Sequence, residues 1–136
     1  MAQWSGGCAC GAIRFACESE PVAMIKCHCR DCQRASGGAY AAIALFPKVK
    51  ASLTGEPRYH RVIGSSGQPV HRGFCEACGS PLSILLDAKS DIIGFQAASL
   101  DDPAQFKAGI EFYTESAWPW DLMDTATPKK PRGSRG

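Results

Sequence analysis

The chain has 136 residues, 45% hydrophobic and 21% charged, the size and balance of one globular domain. Its longest unbroken apolar run, Ala39–Phe46, has eight residues, far short of the roughly 20 that a membrane-spanning helix needs. The opening MAQWSGGCAC has neither the basic start nor the apolar stretch of a secretory signal. Composition thus excludes a helical membrane protein, a collagen-like fibre and a fully disordered chain, and the expectation is a cytoplasmic protein. The net charge of +2 conceals a strong division. Residues 26–72 carry eight basic and two acidic residues, whereas residues 73–128 carry two basic and nine acidic. A basic middle segment favours an anionic small molecule, although solvated surface charge explains the same count.

In chain order, Trp4 to Cys10 reads as an extended stretch with a Gly-Gly turn. Ala12 to Glu18 alternates, with Ile13, Phe15 and Cys17 on one side, as a half-buried strand does. Val22 to Lys26 is a short strand after Pro21. Arg30 to Ala35 forms a helical turn that Gly37-Gly38 ends. Tyr40 to Phe46 is a buried strand stopped by Pro47. Ser52–Thr54 and Arg58 to Ile63 are strands on either side of a Gly-Glu-Pro turn. Residues 64–67, GSSG, make a hairpin connection to a strand over Val70 to Phe74. Leu82 to Leu86, Ile92 to Ala98 and Ile110 to Tyr113 are further strands, with a helical turn starting at Asp101-Asp102-Pro103. No long segment has a 3.6-residue period, so the fold class is mainly β, with many short strands and one or two helical turns. The domain spans residues 1–124. Residues 125–136 lose apolar character, end in PKKPRGSRG and read as a disordered basic tail.

Eight cysteines in a chain read as cytosolic call for metal or redox chemistry rather than disulfides. They fall into Cys8/Cys10, Cys27/Cys29/Cys32 and Cys75/Cys78, with Cys17 alone. Two short pairs from distant segments suffice for one four-thiolate zinc site. Cys75-Glu-Ala-Cys78-Gly79 resembles half of a zinc ribbon, and Cys8 with Cys10 is its natural partner. The triplet has no fourth cysteine nearby. Three protein ligands and an open position is the arrangement of a reactive zinc, which favours the thiolate form of a bound thiol. The competing readings are scattered buried thiols for the first set. For the triplet they are a site closed by His or Asp, or a redox dithiol at Cys29 and Cys32. Cys17 reads as a core residue.

His28, between two cysteines, is expected to point away from a metal they bind. His60 and His71 read as surface or partly buried residues without chemistry. Arg30 and Arg34 flank Cys32 on the helical turn and are candidates to meet a substrate carboxylate, against the plainer reading of solvated arginines. Phe95, Phe112, Tyr113, Trp118 and Trp120 read as core or core rim. No G-x-S-x-G, H-E-x-x-H or phosphate-loop pattern is present.

Three segments taken together, Gly7-Cys8-Ala9-Cys10-Gly11-Ala12-Ile13-Arg14-Phe15, Cys27-His28-Cys29-Arg30-Asp31-Cys32-Gln33-Arg34 and Phe74-Cys75-x-x-Cys78-Gly79-x-Pro81, resemble the glutathione-dependent formaldehyde-activating enzyme family, whose domain the centromere protein V-like proteins share. The likeness continues through Ala98-Ser99-Leu100-Asp101-Asp102-Pro103 to the Trp-rich end, over roughly residues 4 to 122. It implies several small coiled antiparallel sheets, the arrangement called a β-tent. It implies two zinc ions per chain, a structural one on Cys8, Cys10, Cys75 and Cys78 and a second on Cys27, Cys29 and Cys32. It implies a carbon–sulfur lyase run in reverse, with glutathione and formaldehyde as partners and S-hydroxymethylglutathione as product.

Two other readings compete. One is a zinc-stapled binding module without catalysis, with protein or, through the basic tail, nucleic-acid partners. The other is a methionine sulfoxide reductase, which would need a reactive cysteine late in the chain. No cysteine follows Cys78.

Overall fold

The structure, a computed structural model, describes residues 4–133. Ten strands and one α-helix alternate with 3₁₀ turns among these residues. The strands are β1 (Trp4–Gly7), β2 (Arg14–Cys17), β3 (Ala23–Cys27), β4 (Ala41–Pro47), β5 (Ala51–Thr54), β6 (Arg58–Ile63), β7 (Pro69–Phe74), β8 (Pro81–Leu86), β9 (Ile92–Gln96) and β10 (Ile110–Phe112). The helix, α1 (Arg30–Ser36), follows β3. No helix is long and apolar enough to cross a membrane.

A three-stranded sheet has the order β1-β2-β5, and a seven-stranded sheet the order β10-β3-β4-β9-β8-β7-β6. All pairs are antiparallel except β10 with β3, which is parallel. The mainly β class is therefore as the sequence indicates, gathered into one large and one small sheet.

β4 explains the architecture. Its apolar run lies between β3 and β9 and is buried on both faces, the pattern of a central strand. Ala44 and Phe46 join Trp4, Ile13, Phe15, Cys17, Leu82, Ile93 and Phe95 in the larger core, which binds the small sheet to the large one. Phe15 of β2 stacks on Phe95 of β9 with ring centres 3.9 Å apart, so the two sheets meet through that aromatic pair. Ala41 and Ile43 face the other way, into a second core with Val70, Ile84 and the three cysteines Cys27, Cys29 and Cys32. The β-strand period of two thus assigns one face of β4 to sheet packing and the other to the cysteine triplet. Gly94 on β9 stands in the second layer. A Cβ there would lie 2.8 Å from the Ile43 side chain and 3.1 Å from Leu45, so only glycine fits.

Cys17 is buried in the larger core, where burial pushes its thiol up to about 11. Trp118 and Trp120, expected in the core or its rim, are 39% and 68% exposed because they lie on the irregular segment after β10. The segment read from sequence as a tail runs beside β10 as far as Arg132. Glu111 donates its N–H to the Pro128 carbonyl and accepts from Lys130 N–H, and Tyr113 N–H donates to the Arg132 carbonyl. Residues 134–136 lie outside the described residues.

Candidate metal centres

Cys8 and Cys10 sit in the β1–β2 connection, Cys75 and Cys78 in the β7–β8 connection. The fold brings their four sulfurs within 4.8 Å of one another. Two Sγ–Sγ separations are 3.6 Å (Cys8–Cys10) and 3.7 Å (Cys10–Cys75). A tetrahedron with metal–sulfur bonds of about 2.3 Å has edges of about 3.8 Å, so spacing and donor type both fit a zinc-like ion. The turn is shaped by Gly79, whose φ of 80° is in the left-handed region that glycine tolerates, and whose N–H donates to the Cys75 carbonyl. Ser80 ties the two connections. Its hydroxyl accepts from Ala9 N–H and lies 3.2 Å from Cys78 Sγ. Hydrogen bonds from the Ser80 side chain, the Ser80 backbone and the Cys10 backbone pull the Cys78 thiol down to about 5.

The triplet is built by the junction of β3 and α1. Cys27 ends β3, Cys29 caps the helix, and Cys32 lies in its first turn. Cys29 Sγ accepts from Cys32 N–H at 3.3 Å. All three side chains are buried, and their sulfurs lie within 4.8 Å of one another. Among the described residues no His, Asp or Glu joins this group. Hydrogen bonds from the Cys27 and Cys32 thiols lead the causes that draw Cys29 down to about 2; the Cys32 N–H and the Arg72 charge add to them. Cys27, hydrogen-bonded to the Cys29 and Cys32 thiols and buried, is pushed up. Three soft, clustered sulfurs fit a thiophilic ion with a position left for another ligand.

His28 is fully buried but turned from the sulfurs. Its Nε2 is 2.8 Å from Glu111 Oε1, and its Nδ1 is 3.6 Å from Asp121 Oδ2. Glu111, also fully buried, meets Lys129 Nζ at 3.3 Å. β10, which pairs with β3, thus holds the intervening residue of C-x-C through Glu111, a contact that nothing in the spacing reveals.

Gln33 is a second residue that the sequence does not single out. Its amide donates to the His28 and Ser116 carbonyls at 2.7 and 3.0 Å and accepts from Trp118 Nε1 at 2.7 Å and from Arg30. Arg30 is exposed and lies over the Trp118 ring, 5.5 Å from its centre. Arg34 is exposed on the last turn of α1, and its side chain makes no hydrogen bond or ion pair with a described residue. Arg72 of β7 does reach the triplet, its Nη2 lying 3.5 Å from Cys32 Sγ. Strand parity puts Arg72 on the same face as Val70, two residues away, and the order of the strands brings that face to the triplet's core.

A cleft of about 800 Å³ opens beside the first cysteine set, lined among others by Cys8, Arg14, Tyr40, Gln96, Ser99 and Asp101. Tyr40 links the cleft to the triplet's surroundings, with its ring centre 5.3 Å from that of His28.

Fold and sites together define a β-rich protein with two cysteine clusters able to hold metal ions. The chain belongs to the glutathione-dependent formaldehyde-activating enzyme family, whose model matches residues 3–116. A Halomonas elongata protein to which that same activity is provisionally assigned is 28% identical over 101 residues. The match covers 71% of this chain and 64% of the relative, so the chain spans less than two thirds of that curated relative. A crystal structure of a Rhodobacter sphaeroides protein aligns with a TM-score of 0.57 at 19% identity, covering 93% of this chain and 99% of the other, a likeness of fold.

Proposed function

We propose that this chain catalyses the addition of glutathione, or a closely related small thiol, to formaldehyde, with two zinc ions per chain. The reaction is a carbon–sulfur lyase reaction in its synthetic direction. The observation that carries the reading is the buried triplet Cys27, Cys29 and Cys32, with no fourth His, Asp or Glu ligand among the described residues. Cys8, Cys10, Cys75 and Cys78 would hold the structural zinc. The triplet would hold the second, which when bound supplies Lewis acidity and lowers the pKa of a thiol at its open position.

In the reaction itself the sulfur lone pair forms the new C–S bond. The carbonyl π pair moves to oxygen, and the thiol proton ends on that oxygen. No oxidant or reductant is required. The chain's own contribution is to bind and orient. Gln33 and His28 hold the α1 N-terminus and its cysteines in place through buried hydrogen bonds. A cleft large enough for a tripeptide thiol lies beside the first cysteine set, with Tyr40 between it and His28 of the triplet's C-x-C.

Calorimetric titration of zinc-loaded protein with glutathione beside S-methylglutathione tests the reading, followed by NMR of the hydroxymethyl adduct as formaldehyde is added. Binding of the free thiol alone, with adduct forming faster than in buffer, is expected. Equal binding of both compounds, or adduct formation at the buffer rate, would overturn it.

A further inference from the structure

Arg14, Arg58 and Arg132 each face a carboxylate: Asp101, Glu76 and Glu115. Arg72 differs. No carboxylate lies within ion-pair distance of it among the described residues, and its one side-chain hydrogen bond to them goes from Nη2 to Cys32 Sγ. Its Nη1 is buried without a partner. A buried guanidinium nitrogen without a counter-charge is disfavoured, and the charge within reach of this half-buried arginine is that of the cysteine sulfurs. Three thiolates around a divalent ion leave one negative charge in excess, and Arg72 cancels it. A fourth, anionic ligand would then bring the group to one negative charge. Without Arg72 it would bring it to two.

We propose that Arg72 sets the charge preference of the triplet's open position, making it a site for an anionic ligand such as a thiolate rather than for a neutral donor. Arg72 acts as a positioning residue, through the Cys32 sulfur and through its charge. A hydrogen bond to that sulfur also draws electron density from a protein thiolate, as donors beyond the ligands of a metal do, and so leaves an incoming thiolate the more nucleophilic sulfur. The inference rests on the triplet being an open metal site, as in the function proposed above.

The test uses the full chain loaded with cobalt(II), whose visible bands report a change of ligand without any assay of activity. Thiocyanate (an anion) and imidazole (a neutral donor) are titrated into the parent protein, Arg72→Gln and Arg72→Lys at equal ionic strength. Thiocyanate affinity should fall roughly tenfold or more in Arg72→Gln, as loss of a nearby compensating charge implies. It should be largely retained in Arg72→Lys, which keeps the charge and loses the planar fork. Imidazole affinity should stay within about twofold throughout, because no charge is added. Equal loss of both ligands, or no loss of either, would overturn the proposal while leaving an open site intact. Spectra of the parent that respond to neither ligand would overturn the open site itself, and the proposal with it. If Arg72→Gln takes up a single cobalt ion, Arg72→Met repeats the titration. Failure of both to fill the triplet while Arg72→Lys fills it would assign the charge to metal retention and overturn the ligand preference.

Discussion

Asp101 shows how one carboxylate outside the cysteine sites joins segments that are distant in sequence. Its oxygens accept two bonds from the Arg14 guanidinium, at 2.9 and 2.5 Å, and one from the Ser5 hydroxyl at 2.7 Å. Its own N–H donates to the Ser5 carbonyl. It therefore clips β1 and β2 to the turn after β9, at the wall of the cleft. Those donors, the Arg14 side chain foremost, hold its carboxyl down to about 2. A carboxylate whose folded pKa is depressed stabilises fully above its unfolded value, near 4, and loses that contribution as pH falls through the folded value. Asp101→Asn should therefore melt below the parent at pH 6, and the gap in Tm should close between about pH 4 and pH 2. Comparing the two proteins at each pH cancels the acid release of metal common to both. A gap that stays constant down to pH 2 would mean that the charge of Asp101 contributes nothing to the clip.

At the scale of elements, the segment after β10 holds the most that the sequence leaves unsaid. The strands were legible because Ile13, Phe15 and Cys17 alternate and Tyr40 to Phe46 is continuously apolar. The helical turn was legible because Gly37 ends it, in the left-handed conformation with φ 75°. Residues 128–132 carry no apolar pattern. They lie against β10 through backbone hydrogen bonds and one ion pair, neither of which leaves a trace in composition. Lys129 supplies that ion pair, from a side chain 27% exposed to the fully buried Glu111, which also binds His28 between two triplet cysteines. Lys129→Met should leave the Glu111 carboxylate short of a counter-charge and cost about 3 kcal/mol, toward the low end for breaking a buried pair. The loss should appear in urea unfolding, and metal should leave the triplet more readily while the other cysteine set keeps its ion. Adding Glu111→Gln to that variant should recover part of the stability, because no buried charge then lacks a partner. Were the double variant to lose the sum of both single losses, Lys129 and Glu111 would not be coupled.

Across the whole molecule, the two cysteine sites occupy different mechanical positions, and this difference was partly visible in the counts. Four cysteines from two distant pairs suggested a closed site, and three a site left open. The structure adds what each one connects. The set Cys8, Cys10, Cys75 and Cys78 joins the β1–β2 loop of the small sheet to the β7–β8 loop of the large sheet. The triplet lies within one local unit, from the end of β3 to the first turn of α1. What spacing could not supply was Arg72, which approaches from β7, across the sheet from β3, and is brought near only by the order of the strands. A metal that closes a loop between sheets constrains far more of the unfolded chain than one within the six-residue stretch from Cys27 to Cys32. Cys10→Ser and Cys27→Ser each remove one sulfur and, on the proposed two-zinc reading, should each lower the bound zinc from two equivalents to about one. Their stabilities should nevertheless separate. Cys10 is exposed, so replacing it opens no cavity in the core and its loss reports chiefly on the metal. Even so, Cys10→Ser should lower Tm by more than about 10 °C, as the loss of a few kcal/mol does in a domain of this size. Cys27 is buried, yet Cys27→Ser should lower Tm by less than half as much while abolishing thiol binding. Equal Tm losses in the two variants, measured by calorimetry at matched zinc content, would mean that the inter-sheet site carries no special share of the fold's stability.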